Sequence, residues 1–329
     1  MGSRGRFRYV DARGNPIKDE ERLERIRALV IPPAWTDVWI SPRPNAKLQA
    51  TGVDAAGRRQ YLYHADFRAQ QEEAKFDKLI RFAERLPDLR AATAEHFDRE
   101  TLDRLRVSAI ATRLINAGWF RVGSERYARE SRTYGITTLL KSHVHIRGNR
   151  IAFDFVSKHR TVVRTTLVDA ELADEVTELL ALPRGRRLFR YEWEGGICNL
   201  TGARLNDYVR EYLGDDFTAK DFRTWGGTLI AAIAFAEQGP PESEKQAKRV
   251  VPAVMRKVGE ELGNTPAVAR SSYVSPAVID QYLDGRTIED FRPKHLRVVR
   301  ARDTGLDQEE QALLSLLRSG KIRQARAAA

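Results

Sequence analysis

The residue pattern of this chain changes character near residue 65. Residues 35–64 mix aromatic and β-branched side chains with Pro and Gly, which is typical of short antiparallel strands. From residue 66 onward, apolar side chains recur mostly at helical spacing. The chain has 329 residues, more than one small core usually needs, so the change of pattern favours two domains.

Helical spacing extends over residues 66–86, and Pro87 is expected to stop it. We therefore place the domain boundary after residue 89, which gives domains of residues 1–89 and 90–329. The predicted fold class is α+β, with a small antiparallel β-sheet domain followed by a larger, mainly α-helical domain.

One β-rich region interrupts the predicted helices of the second domain. In residues 143–166, Gly148-Asn149 suits a two-residue hairpin turn, and residues 157–160 form a second break, so a three-stranded meander is expected. Amphipathic helices are expected around residues 101–116, 203–213, 219–236, 243–262 and 276–283.

The charge of the chain indicates a class of partner. The net charge is +11, and 44 of the 56 basic residues are arginine. A basic chain of this kind favours a polyanion, because lysine and arginine neutralise phosphates and release condensed counterions. The arginine excess suits bidentate phosphate contacts but is equally expected from a GC-rich genome.

Metal and nucleotide motifs are missing from the sequence. The six His and the single Cys198 form no zinc pattern, and no G-x-x-x-x-G-K-[ST] loop occurs, although composition alone leaves a magnesium site open. Phosphoryl chemistry without a metal needs arginine and lysine for charge stabilisation and a side chain as nucleophile. We therefore search for cations around a hydroxyl group.

No signal-peptide pattern is found at the start of the sequence, and the longest apolar stretch, residues 229–236, is too short to span a bilayer. The single cysteine rules out an intrachain disulfide framework and suits a reducing compartment. The expected location is the cytoplasm, without membrane attachment.

Tyr273 lies between two signals for the start of a helix. Thr265 and Pro266 begin one short helix, and Ser275 and Pro276 begin the next. A tyrosine at such a junction can project its hydroxyl group. Taken alone, it is more often a packing residue.

Arg223 is expected in the first turns of a helix that starts at Thr218, where the positive helix end favours anions. Gly226 and Gly227 follow, and each costs about 1 kcal/mol against alanine inside a helix. We expect a close approach of another segment at these glycines. By itself, Arg223 would more often be a solvated or ion-paired residue.

Two further basic residues stand at connections. Lys158 follows an alternating strand pattern and is placed at the tip of a hairpin. Arg121 follows a helix and a glycine stop, on a connection of the kind that often carries binding residues. Neither residue is informative alone.

Taken together and in their order along the chain, these segments resemble the catalytic domain of the type IB DNA topoisomerases. The resemblance is strongest to the compact poxvirus-like and bacterial members. The match consists of Arg121 in RVG, Lys158 in FDFVSK, Arg223 in KDFRT, Asn264 in GNTP and Tyr273 in SSYVSP. Two departures are Ser157, where the family usually has Gly, and Asn264, where poxvirus and eukaryotic members carry His. Asparagine can donate a hydrogen bond to phosphate but carries no charge.

The N-terminal part also resembles the family, through LVIPPAW and GRRQYLYH. The resemblance implies a β-rich domain that clamps DNA, with Arg58, Arg59, Gln60, Tyr61 and Tyr63 as DNA contacts. Base reading and backbone contact by these residues are both left open.

The resemblance implies a mechanism in which Tyr273 attacks a DNA phosphorus and leaves a 3′-phosphotyrosyl bond and a free 5′-hydroxyl. Arg121 and Arg223 would hold the non-bridging oxygens, and Lys158 would protonate the leaving oxygen, assisted by Arg121. Lys220 is a further expected phosphate contact. Religation then relaxes positive and negative supercoils, and the implied mechanism needs no ATP, no metal and no other cofactor.

The implied partner is double-stranded DNA, clamped by a monomer that associates with the bacterial nucleoid. One alternative is a tyrosine recombinase or integrase, although Lys220 stands where its H-x-x-R motif needs His. Another is a non-catalytic duplex-binding protein, which the basic charge alone would satisfy.

Overall fold

The computed structural model describes residues 7–292 and 305–328. It divides into two compact units, Met1–Lys75 and Phe76–Ala329. The division falls within a long helix, Ala65–Phe97, that begins in the first unit and ends in the second. The domain boundary expected after residue 89 stays a prediction.

The first unit contains a short helix and a three-stranded antiparallel meander in the order β1-β2-β3, within the region where the sequence predicted a sheet. Its elements are α1 (Glu20–Ala28), β1 (Thr36–Ile40), β2 (Leu48–Val53), β3 (Arg59–Tyr63) and the start of α2 (Ala65–Phe97).

The second unit is mainly helical, as the sequence predicted. Its helices after α2 are α3 (Arg104–Gly118), α4 (Glu125–Glu130), α5 (Ala170–Ala181), α6 (Gly202–Leu213), α7 (Ala219–Gln238), α8 (Glu244–Leu262), α9 (Pro266–Ser272), α10 (Pro276–Leu283) and α11 (Gln308–Ala328). Its strands are β4 (Val144–Arg147), β5 (Arg150–Val156) and β6 (Val162–Val168), which form an antiparallel meander, and the hairpin of β7 (Arg190–Trp193) and β8 (Gly196–Asn199).

Pro87 does not stop α2, and this expectation was wrong. The proline lies inside the helix, which continues to Phe97. Leu86 and Leu89, on either side of it, are 0% and 1% exposed. Burial of these side chains offsets the backbone hydrogen bond that proline cannot make.

Helix α7 forms the centre of the second unit. Its residues from Phe222 to Ala232 are all buried, including the polar residues Arg223, Thr224 and Thr228. Most of the others are apolar and occur on every side of the helix, which is typical of a buried helix. Thr218 begins the helix with a capping box, in which its backbone N–H donates to the Asp221 carboxylate at 2.8 Å. None of the helices in the described ranges has the length and apolar character needed to cross a membrane.

Candidate active site

Tyr273 lies at the junction of α9 and α10, as the sequence predicted. The Thr265 hydroxyl accepts from the backbone N–H of Val268 at 3.3 Å, and Pro266 occupies the first position of α9. Tyr273 ends this helix, with its N–H donating to the carbonyl of Ala269 at 3.0 Å, and its side chain is half-buried.

Helix α7 holds the backbone of Tyr273 in place. A Cβ atom on Gly227 would lie 2.9 Å from the carbonyl oxygen of Tyr273 and 3.0 Å from its Cβ atom. The next residue, Thr228, shares its hydroxyl proton between the carbonyls of Thr224 at 2.8 Å and Tyr273 at 3.1 Å. Its oxygen accepts from the N–H of Ser275 at 3.1 Å. The close approach expected at the paired glycines therefore exists.

Arg223 projects from the first turns of α7 against the ring of Tyr273. Its guanidinium carbon lies 5.1 Å from the ring centre, within the range of a cation–π contact. One terminal nitrogen donates to the carbonyl of Trp119, and the other donates to that of Leu262 at 2.6 Å. Arg223 is buried, and its Nε atom has no hydrogen-bond partner among the residues that the structure describes.

Arg121 lies on the connection that follows α3. Its Nη2 atom donates to the carbonyl of Gly263 at 2.9 Å and to the side-chain oxygen of Asn264 at 2.8 Å. Its Nη1 atom lies 3.4 Å from the Ser157 hydroxyl. Burial lowers the pKa of Arg121 to about 10, and the positive charge of Arg223 acts in the same direction.

Two glycines explain the R-x-G pattern around Arg121. Gly123 has a φ angle of 101°, which favours glycine. A Cβ atom on Gly135 would lie 2.5 Å from the carbonyl oxygen of Arg121 and 2.7 Å from the Cα atom of Gly123. The N–H of Ile136 donates to that carbonyl at 2.8 Å. Contact between the two glycine backbones therefore fixes the segment that carries Arg121.

Asn264 follows the left-handed residue Gly263, which ends α8. Its N–H donates to the carbonyl of Gly259 at 2.7 Å, and its side-chain nitrogen donates to that of Leu262 at 3.2 Å. The last residue of α8 therefore supplies an acceptor to Arg223, and the turn that follows supplies acceptors to Arg121.

Lys158 lies at the tip between β5 and β6, as predicted, and its side chain is exposed. Its ammonium group has no hydrogen bond or ion pair within residues 7–292 and 305–328. The preceding Ser157 has a φ of −98°, so serine replaces the family's glycine here without strain. The left-handed residues of this tip are His159 and Arg160.

Three positive charges act on the phenol of Tyr273. Burial raises its pKa, but the charges of Arg223, Arg121 and Lys220 outweigh that effect, so the pKa lies below its ordinary value. Lys220 is exposed at the start of α7. The structure therefore brings Tyr273, Arg121, Arg223 and Asn264 together, with Lys220 close enough to act through its charge.

A pocket of about 360 Å³ adjoins the two arginines. Its lining includes Arg121, Arg223, Ser157, Thr161 and Glu260. Within the described chain, no group of three or more His, Cys, Asp or Glu side chains is arranged to hold a metal ion.

The expected DNA contacts of the first unit occupy two faces of β3. Arg59, Tyr61 and Tyr63 share one exposed face, because side chains alternate along a strand, and the two tyrosine rings stack with centres 6.3 Å apart. Gln60 points to the other face, where its amide donates to Asp54 at 2.8 Å.

Arg58 shares the carboxylate of Asp54 with Gln60. Its Nη2 atom lies 2.7 Å from that carboxylate. A hydrogen bond from the Arg58 side chain contributes most to lowering the pKa of Asp54 to about 2. Asp54 therefore orients both side chains at the turn between β2 and β3.

Sequence reasoning missed several residues that shape these sites. Thr228 and Trp119 hold Tyr273 and Arg223 but belong to no motif. Trp39, which is 49% exposed, is in register with Thr51 and, through it, with Tyr61, so it shares their face of the sheet. The sequence had indicated this surface only through Arg59, Tyr61 and Tyr63.

Two family models match the chain in succession. The model of the bacterial DNA topoisomerase IB N-terminal domain matches residues 6–54, and that of the eukaryotic DNA topoisomerase I catalytic core matches residues 64–292. The second match contains the residues gathered around Tyr273.

Individual relatives cover most of the chain. DNA topoisomerase 1B of Acanthamoeba polyphaga mimivirus is 32% identical over 285 residues, which are 84% of this chain and 84% of the relative. DNA topoisomerase 1B of Vaccinia virus (strain Copenhagen) is 21% identical over 82% of this chain and 85% of its own length. DNA topoisomerase 1 beta of Arabidopsis thaliana is 24% identical over 53% of this chain but only 18% of the relative. The chain therefore belongs to the type IB DNA topoisomerases, in the compact form that bacterial and poxvirus-like members share.

Proposed function

We propose that Tyr273 is the nucleophile of this topoisomerase. Its oxygen forms a bond to a DNA phosphorus in line with the 5′-oxygen, whose bond to phosphorus breaks. The products are a 3′-phosphotyrosyl ester and a strand with a free 5′-hydroxyl. The observation that carries the proposal is the contact of Arg223 with Tyr273, in which the guanidinium carbon lies 5.1 Å from the ring centre. The charges of Arg223, Arg121 and Lys220 also lower the pKa of the phenol.

Arg121 and Arg223 hold the non-bridging phosphate oxygens during this step. Each arginine already donates to a backbone carbonyl at the end of α8, Gly263 for Arg121 and Leu262 for Arg223. These contacts restrict the rotation of each guanidinium, so the remaining N–H groups are oriented before the substrate binds. The buried Nε–H of Arg223 is one such donor.

Lys158 supplies the proton that the departing 5′-oxygen takes up, assisted by Arg121. Its exposed position at a hairpin tip allows the ammonium to reach a strand lying across the site. The tyrosine proton passes to solvent, which the lowered pKa of Tyr273 favours. Asn264 orients Arg121 and adds a neutral donor for phosphate, and Lys220 contacts a neighbouring phosphate.

Religation reverses these steps. The 5′-hydroxyl attacks the phosphotyrosyl ester, which retains the energy of the phosphodiester bond, and Tyr273 leaves. Between the two steps, torsion rotates the duplex about the uncut strand, so positive and negative supercoils both relax. Neither step consumes ATP, and the cations named above provide the charge stabilisation that metal ions give elsewhere.

The first unit adds a DNA-contacting surface. Arg59, Tyr61 and Tyr63 present charge and aromatic rings on one face of the sheet, and Trp39 extends that face. Arg58 contacts DNA from the turn before β3 and Gln60 from the other face of β3, and both side chains are held by Asp54. One copy of the chain clamps the duplex as a monomer in the bacterial cytoplasm, associated with the nucleoid.

The test is relaxation of negatively and positively supercoiled plasmids in EDTA without ATP. The unchanged protein should relax both, and Tyr273→Phe should neither relax DNA nor form a covalent adduct. The matched control is Tyr282→Phe, since the buried Tyr282 hydroxyl has no hydrogen-bond partner in the described part of the chain. Salt-sensitive DNA binding without relaxation by any of the three would instead indicate a non-catalytic duplex-binding protein.

A further inference from the structure

Glu310 of α11 is a buried carboxylate beyond residue 292, where the match to the catalytic core ends. Arg90 of α2 binds it through two nitrogens, at 2.7 and 2.8 Å. The indole N–H of Trp225 in α7 donates to it at 3.1 Å. The backbone N–H of Asp307, the residue before α11, also donates to it at 3.1 Å. Glu310 thereby ties the C-terminal helix to two other helices of the second unit.

The hydrogen bond from Trp225 bears on the orientation of α7. Successive residues of a helix are about 100° apart, so Trp225 projects roughly opposite to Arg223, two residues earlier. The indole of Trp119 packs directly against Gly226, and its Nε1 atom would lie 2.2 Å from a Cβ atom added there. Helix α7 is thus fixed by Trp119 on one side and by the Trp225–Glu310 bond on another. Rotation of the helix about its axis would displace the guanidinium of Arg223.

Arg90, Trp225 and Glu310 form a cluster, and Arg90 connects this cluster to the segment that carries Arg121. Its Nη2 atom lies 3.5 Å from the side-chain oxygen of Asn116, in the last turn of α3. Trp119 follows three residues later, and its carbonyl accepts from Arg223. The cluster therefore contacts both elements that lead to the site arginines.

We propose that Glu310 is a positioning residue of the active site, and that the C-terminal helix α11 completes the catalytic unit by setting the orientation of α7. The inference rests on the proposed roles of Tyr273 and Arg223. Helix α11 would then support catalysis by positioning α7, although it contributes no atom to the reacting groups.

Glu310→Gln tests the proposal because the side chain keeps its size and loses its charge. Single-turnover cleavage of a suicide DNA substrate should slow by about tenfold or more, the scale expected for a lost charged hydrogen bond. Non-covalent DNA binding should change little. The matched control is Glu84→Gln, which breaks the exposed Arg318–Glu84 ion pair that also joins α11 to α2. Its cleavage rate should equal that of the unchanged protein.

A double-mutant cycle separates positioning from general loss of stability. If Glu310 acts through Arg223, Glu310→Gln should slow cleavage strongly in the unchanged protein and little in an Arg223→Lys background. Trp225→Phe, which removes the indole donor and leaves the Arg90–Glu310 pair, should slow cleavage in the same coupled way. This variant keeps the test decisive if Glu310→Gln folds poorly.

Two results would overturn the inference. One is unchanged cleavage by folded Glu310→Gln and Trp225→Phe. The other is a cleavage rate of the double variant that is reduced by the product of the two single-variant factors, as expected when Glu310 and Arg223 act independently. Either result leaves the role of Tyr273 untouched, whereas cleavage by Tyr273→Phe would refute the proposed function itself.

Discussion

The side-chain oxygen of Asn264 accepts a hydrogen bond of 2.8 Å from Nη2 of Arg121. The same nitrogen donates to the carbonyl of Gly263 at 2.9 Å, so the turn after α8 holds one edge of the guanidinium. The sequence predicted Asn264 only as a donor to phosphate. Its contact with Arg121 adds the role of an acceptor, which needs no charge on the side chain.

Asn264→Ala should therefore slow cleavage by misorienting Arg121. Loss of one hydrogen bond to a charged group costs about 1.5–3 kcal/mol, or roughly tenfold to a hundredfold if expressed in the transition state. The measurement is single-turnover cleavage, with DNA affinity determined separately. Asn199→Ala, at an exposed position in β8, is the control and should cleave normally. A loss of DNA affinity without a loss of rate would argue against the orienting role.

Alanine at either paired glycine should disrupt the site, although alanine favours a helix by about 1 kcal/mol. In Gly226→Ala, the new Cβ atom would overlap the indole of Trp119, so unfolding free energy should fall by about 1–3 kcal/mol. In Gly227→Ala, the new atom presses on the backbone of Tyr273, so the cleavage rate should fall more than stability does.

Chemical denaturation and single-turnover cleavage together check both glycine variants. The comparison is Gly320→Ala in α11, where the nearest atom is the amide nitrogen of Gln281 at 3.2 Å, and a flexible amide can shift. If Gly226→Ala proved more stable than the unchanged protein, the close packing of Trp119 on α7 would be refuted.

Thr228→Val removes one hydroxyl that contacts both Tyr273 and Ser275. Valine has nearly the same shape, so the backbone around Tyr273 loses its hydrogen bonds without a cavity. We expect about tenfold slower cleavage and a loss of stability of about 1–3 kcal/mol, because the N–H of Ser275 is left unsatisfied.

Thr112→Val is the matched control for this substitution. The Thr112 hydroxyl is buried and has no hydrogen-bond partner in the described ranges, so its removal should leave cleavage unchanged and stability equal or higher. Equal cleavage rates in the two valine variants would show that Thr228 does not position the nucleophile.

The pH dependence of cleavage should report the lowered pKa of Tyr273. A lower pKa means that the phenolate forms at lower pH, so the cleavage rate should rise with pH and level off below the ordinary tyrosine value of 10.0. Arg223→Gln removes the largest lowering influence, and the levelling-off should move to higher pH.

Phenolate absorbance provides a direct measurement of this pKa, from the difference between the unchanged protein and Tyr273→Phe. Burial raises the pKa values of Tyr208, Tyr212 and Tyr282, which moves their titration away from that of Tyr273. A difference spectrum that titrates at or above the ordinary tyrosine value would contradict the proposed electrostatics.

Local signals explain which parts of this structure the sequence predicted. Thr218, Thr265 and the Gly148-Asn149 pair act on residues within four positions, and each lies where its helix or hairpin was expected. The motif residues Arg223 and Asn264 each lie on the helix start or helix end that their own segment provides.

The features that the sequence did not predict depend on packing between segments far apart in the chain. Pro87 stays inside α2 because its neighbours are buried by residues that local patterns do not identify. The approach of Gly135 to Gly123 and the pairing of Arg90 with Glu310 leave no periodic trace in the sequence. Such contacts become visible only when the fold has placed both partners.

Acid should destabilise the second unit through His96. This residue is 8% exposed, and its Nδ1 atom lies 2.8 Å from the hydroxyl of Tyr208. Burial lowers the pKa of His96 below its ordinary value of 6.5, so the folded protein binds the proton less readily than the unfolded chain does. The contribution of His96 to stability is therefore complete above the unfolded pKa and is lost as pH falls towards the folded pKa.

Urea unfolding at several values between about pH 8 and about pH 5 measures this effect, with His96→Gln as the comparison. Glutamine can hydrogen-bond to Tyr208 but does not titrate, so the variant should lose less stability on acidification than the unchanged protein. His143, whose pKa burial also lowers, is present in both proteins and contributes equally to both slopes. Parallel losses of stability would therefore show that His96 accepts its proton as readily in the folded state as in the unfolded chain.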